Sequence, residues 1–166
     1  MGGILVREAR PDDEDALSRI HAEVARYYVG LAPKYFQLPA LGGFDQGRDG
    51  ASTSSQGDSL RLVAEADGEV VGALFARLLG PGEGATRGVT SGAGELRLRI
   101  DYLATAAGRR RRGVGTLLVE AAEAWGRRAG ATIAETTACD GSSLSFPFWE
   151  ERMGYEDRSV SLRKSL

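Results

Sequence analysis

The chain has 166 residues, 42% apolar and 27% charged, with 21 basic and 23 acidic side chains and a formal net charge of −2. That length suits a single domain able to bury a core without staples. No run approaches the ~20 apolar residues of a membrane span, and so mild a charge argues against a coat protein for nucleic acid.

Cys139 is the only cysteine and His21 the only histidine. An internal disulfide, a cysteine zinc site and a multi-histidine metal centre are therefore excluded, and no metal is expected. The start, Met1-Gly2-Gly3-Ile4-Leu5-Val6-Arg7, lacks the basic and long apolar regions of a secretory leader. The expected setting is reducing and cytoplasmic.

Residues 4–9 read as a first strand, stopped by Pro11. Asp12 is the expected N-cap of a helix, with Asp15 as its return acid. Leu17, Ile20, Val24 and Tyr27 or Tyr28 form one apolar stripe on that helix, with His21 at its edge in a structural role. Residues 31–41 read as a second, proline-broken helical piece bearing Tyr35 and Phe36. Residues 42–59 and 80–94 are Gly-rich and read as flexible loops. Strand patterns at 61–66 and 69–79 flank Asp67-Gly68, a strong hairpin signal. Residues 95–105 alternate with a period of two. Gly113 opens the best helix, with Leu117, Leu118, Ala121, Ala122, Trp125 and Ala129 as its expected buried face and Gly130 as its stop. A short strand at 131–137, a helix at 142–153 and a closing strand at 155–162 complete an α/β pattern. Cys139 reads as a small apolar residue rather than a nucleophile.

Chemistry concentrates in Arg110-Arg111-Arg112-Gly113-Val114-Gly115-Thr116. A helix start leaves about four amides unpaired and carries roughly half a positive charge. Gly113 and Gly115 remove Cβ atoms, so an anion can approach the main chain, and the arginines add charge. A phosphate or diphosphate is the expected ligand. The turn lacks the ending of a Walker loop and the full G-x-G-x-x-G of a dinucleotide site.

Leu103-Ala104-Thr105 followed by Arg110-x-x-Gly113-x-Gly115 resembles the acyl-CoA-binding motif of the GNAT superfamily of N-acetyltransferases. The order of elements from Ile4 to about Leu162 is similar as well, and Met153-Gly154-Tyr155 is similar to the family's closing Leu-Gly-Phe. The resemblance implies a single domain over residues 1–166, with a mixed, splayed sheet flanked by helices and acetyl-CoA between strands four and five. It implies cofactor contacts from Leu103, Ala104, Thr105, Arg110, Arg111, Arg112, Gly113, Val114, Gly115, Thr116, Ser142 and Trp149. The amide of Leu103 would polarise the thioester carbonyl. Ser142 stands where the family often has an asparagine, and an N-cap is the other reading of it.

The reaction then implied is direct attack by a primary amine of a small molecule or protein. Asp101 is the expected base, two residues before Leu103 on an extended strand and so on the same face, which Arg97 and Arg99 share; Glu95 is a weaker candidate. The family's general-acid tyrosine lies four residues before the closing glycine, where this chain has Glu150. One extra residue in the helix would bring Trp149 there instead. Partners expected from the resemblance are the amine acceptor and a second copy of the chain, with neither membrane nor nucleic acid. Two other readings stay open: a silent acyl-CoA-binding member of the same fold, and a nucleic-acid module using Arg109–Arg112.

Overall fold

The computed structural model describes residues 3–38, 57–83, 94–139 and 141–157. Its centre is a five-stranded sheet in chain order: β1 (Leu5–Glu8), β2 (Ser59–Ala66), β3 (Glu69–Leu79), β4 (Arg97–Thr105) and β5 (Ile133–Thr136). The first four strands are antiparallel and β5 is parallel to β4. Two helices cover it, α1 (Glu14–Leu31) on one face and α2 (Val114–Ala129) on the other. The parallel step needs a crossover, which α2 supplies.

Local chemistry accounts for the elements. Asp67 and Gly68 both take positive φ, 53° and 79°, as a type I′ turn requires, and the hairpin closes there. Gly130 ends α2 in the left-handed region; its amide donates to Arg127 and that of Ala131 to Gly126, a Schellman motif. The start of α1 differs from the expectation. A 3-10 turn, Pro11–Asp13, precedes the helix, and Asp13 rather than Asp12 accepts from the chain, at the Arg10 amide 2.7 Å away. Asp13 also takes a bidentate pair from Arg7 at 2.8 and 2.9 Å. That pair and the Arg10 amide outweigh burial and hold its carboxyl below the usual range.

Leu17 and Ile20 of α1 bury against Val63, Val70, Ala73 and Ala104. Leu118, Val119 and Ala122 of α2 bury against Leu62, Ala64, Leu74, Leu98 and Ile100. The buried face of α2 is rotated from the expected one: Val114 and Gly126 are inside, whereas Leu117 is 38% exposed and Ala129 is exposed. Small residues set this. A Cβ on Gly72 would lie 2.6 Å from the Val114 side chain, and one on Gly126 would lie 3.1 Å from that of Leu98. The helix therefore lies close on the sheet along those positions.

Two expected elements change. Residues 33–35 form a turn in place of the second helix, and 39–41 lie outside the described residues. The helix at 142–153 contracts to turns followed by a π-helical segment, Phe148–Arg152, in which the Met153 amide donates to Phe148, five residues back. Residues 155–157 are irregular. The rest of the expected last strand and most of both Gly-rich loops lie outside the described residues.

Candidate active site

Pairing with β5 ends at Ile100/Thr136, while β4 runs on to Thr105 beside β3. Beyond Ile100 that edge of β4 pairs with no strand among the described residues. The Ala106 amide donates to Val71, so by antiparallel alternation Ala104 and Tyr102 spend their main-chain groups on β3. Those of Leu103 and Thr105 face the gap. Consistent with this, the Thr105 carbonyl accepts from Arg110 Nε at 3.4 Å.

The gap is a cleft of about 680 Å³. Leu103, Ala104 and Thr105 form one wall, and Arg109, Arg110, Arg111, Gly113, Val114, Gly115 and Thr116 form its floor. Val24, Tyr27 and Tyr28 come from α1, and Phe148 and Trp149 from the π segment. In α2 the first rung runs from the Leu117 amide to the Gly113 carbonyl at 3.0 Å. The amides of Val114, Gly115 and Thr116 precede it and have no helical acceptor. Arg111 and Gly113 take φ of 58° and 82°, which bends the chain around the site. A Cβ on Gly115 would stand 3.3 Å from the Phe148 ring. Amides, guanidinium groups and a strip of open strand edge suit an elongated ligand with an anionic end.

Most of the expected contacts thus come together, but four residues do not line the cleft. Arg112 is exposed to one side. Ser142 is buried; it accepts from the Ser145 amide at 3.1 Å and meets the Tyr27 hydroxyl at 3.1 Å, which supports the capping alternative. Glu150 is exposed on the outer side of the π segment, whereas Trp149 is buried and lines the cleft. The longer turn absorbs one residue and brings Trp149 inward.

Asp101 is the fourth. Phe75 pairs with Tyr102 but Ala76 pairs with Ile100, so Asp101 is the extra residue of a β-bulge. Alternation shifts there. Leu98, Ile100 and Leu103 pack on the α2 side, and Tyr102 and Ala104 on the α1 side. The expectation that Asp101 and Leu103 share a face is therefore corrected. Asp101 pairs with Arg77 at 2.9 Å and Arg99 at 3.4 Å. Arg97 is instead buried against Glu135 at 3.1 Å, and Glu95 accepts from Thr132.

Tyr27 and Tyr28, open to a pocket or a core role from the sequence, are cleft walls, and Phe148 lies under Gly115. Spacing on α1 pointed to the two tyrosines without separating pocket from core; nothing local pointed to Phe148. Among the described residues there is no group of three or more His, Cys, Asp or Glu placed to hold a metal, and no helix long and apolar enough to cross a membrane.

The model of the acetyltransferase (GNAT) family matches residues 17–155. The chain belongs to that family. No curated protein sequence matches it significantly. Among solved structures it is similar to a transcriptional regulator from Bacillus halodurans C-125, at 19% identity and a TM-score of 0.67 over 99% of this chain and 100% of that one. It is similar to a glucosamine-6-phosphate N-acetyltransferase from Arabidopsis thaliana, at 10% identity and 0.63 over 98% of each. It also resembles an aminoglycoside N-acetyltransferase, AAC(6')-Iy, in complex with CoA, at 15% identity and 0.62 over 100% of this chain and 97% of that one. Identities this low speak for the fold.

Proposed function

We propose that the protein is an acetyl-CoA-dependent N-acetyltransferase acting on a primary amine of a small molecule or a protein. The observation that carries this reading is the open edge of β4 facing the unpaired amides of α2 across one cleft. Acetyl-CoA supplies an already activated thioester. The amides of Val114, Gly115 and Thr116, with Arg110 and Arg111, hold the diphosphate. Main-chain groups of Leu103 and Thr105 hold the pantetheine arm, and the Leu103 N–H donates to the carbonyl oxygen as charge develops on it.

The acceptor enters from the α1 side, where Tyr27 and Tyr28 stand. Asp101, held by Arg77 and Arg99 at the bulge just outside the cleft lining, takes the amine proton through water. Trp149 covers the sulfur and offers it an N–H, but cannot protonate it. Coenzyme A then leaves as a thiolate, which its thiol acidity allows near neutral pH. The same substitution favours a second reading, a family member that holds acyl-CoA without turning it over.

The test is free-thiol release from acetyl-CoA with purified protein and a panel of amines. Release with an amine supports transfer. Coenzyme A binding without release for any amine supports the second reading, and absence of binding overturns both.

A further inference from the structure

The turn that receives the diphosphate does not stand alone. Its residues 107–110 lie against one face of α1, at two positions four residues apart. Glu23 Oε2 accepts from the Ala107 amide at 2.9 Å, and the Arg110 guanidinium lies over the Tyr27 ring, 5.4 Å from its centroid. Residues at i and i+4 share one stripe of a helix, so a single rigid element sets both contacts. Arg110 also donates from Nε to the Thr105 carbonyl at 3.4 Å. Its two Nη groups make no hydrogen bond to protein among the described residues, and the side chain lines the cleft. A guanidinium held at Nε and across one face presents both Nη groups in a fixed fork, the geometry that suits a phosphate. The Tyr27 hydroxyl reaches on to Ser142 Oγ at 3.1 Å, and so joins α1 to the segment on the far side of the cleft.

We infer that α1 is a splint for the phosphate-binding turn: Glu23 and Tyr27 are positioning residues that fix Arg110 for the diphosphate. The inference rests on the reading that this cleft takes acetyl-CoA. Glu23 does not line the cleft and acts on the turn through the Ala107 amide; Tyr27 lines it and acts on Arg110 through its ring. Their loss therefore costs affinity for the nucleotide end and leaves the reacting end in place.

The experiment is calorimetric titration of coenzyme A into the wild-type chain and into Tyr27→Leu, Tyr27→Phe, Glu23→Ala and Glu23→Gln. Melting temperatures, and kcat and KM for acetyl-CoA, are measured in parallel. Tyr27→Leu and Glu23→Ala weaken coenzyme A binding about fivefold each, the scale of one cation–π contact or one hydrogen bond. KM for acetyl-CoA rises in proportion in both, and in Glu23→Ala, whose side chain does not line the cleft, kcat stays within about twofold. Tyr27→Phe keeps the ring and Glu23→Gln keeps an acceptor oxygen, so both bind within about twofold of wild type. Unchanged affinity in Tyr27→Leu and Glu23→Ala, with or without a lower melting temperature, overturns the splint while leaving the acetyl-CoA reading intact. A fall of equal size in the conservative variants also overturns it. A wild-type chain that does not bind coenzyme A fells both.

Discussion

On one side β4 pairs with β3 from Arg97 against Leu79 through Thr105 against Gly72, with only Asp101 bulged out. On the other it pairs with β5 for four residues and then stands open. The first seam is filled with Leu74, Ala76, Leu98 and Ile100, holds the sheet, and is interrupted only by the bulge at Asp101. The second leaves main-chain donors and acceptors of Leu103 and Thr105 without a strand partner among the described residues. Buried backbone groups do not stay unpaired without cost. The site therefore lies where pairing ends, and its chemistry comes largely from the main chain.

The contrast can be broken from the open side first. Gly115→Leu places a branched side chain between Phe148 and the cleft, and Gly113→Val strains a residue at φ 82°. Coenzyme A affinity by calorimetry falls by about 100-fold or more in Gly115→Leu, about 2.7 kcal/mol. Asp101→Asn leaves that affinity unchanged and lowers kcat by about 100-fold, the low end for loss of a general base. An unchanged kcat removes Asp101 from the reaction.

Away from the cleft, the effects fall on stability instead. Asp13→Ala leaves Arg7 without its bidentate partner and lowers stability by about 2–3 kcal/mol, measured by urea unfolding. That corresponds to a melting point lower by roughly 5–10 °C in a chain of this size. Because the folded-state pKa of Asp13 is depressed, its contribution is present above the unfolded value near 4 and is lost as pH falls through the folded one. The acid limb of the stability curve is accordingly flatter in Asp13→Asn. Leu117→Ala, on the exposed side of α2, changes stability by less than about 0.5 kcal/mol.

Much of this was legible in the residues. The Asp67-Gly68 turn, the Gly113 start and Gly130 stop of α2, and the alternation of β4 all follow from local rules that the structure obeys. The cleft-lining residues 103–105, 110, 111 and 113–116 were readable because glycine spacing and helix-end electrostatics act within a few residues. What escaped depends on partners far along the chain. The bulge at Asp101 is a mismatch with Phe75 and Ala76 of β3, invisible within β4 itself. The rotated face of α2 follows from Gly72, some forty positions earlier, and its fit to Val114. Val114 is 2% exposed, so even Val114→Ile, which the turn alone would tolerate, overpacks the core. The π segment decides between Glu150 and Trp149, a choice that turns on one residue of length.

The two seams also differ in when they can form. The β2–β3 hairpin closes through two turn residues and needs only neighbouring chain, whereas β5 can reach β4 only after α2 has been laid across the sheet. Contacts between distant parts of a chain are slow to assemble because loop closure must come first. The cleft is thus built on a boundary that forms later than the hairpin, and in hydrogen exchange the amides of β5 lose their protection before those of β2 and β3.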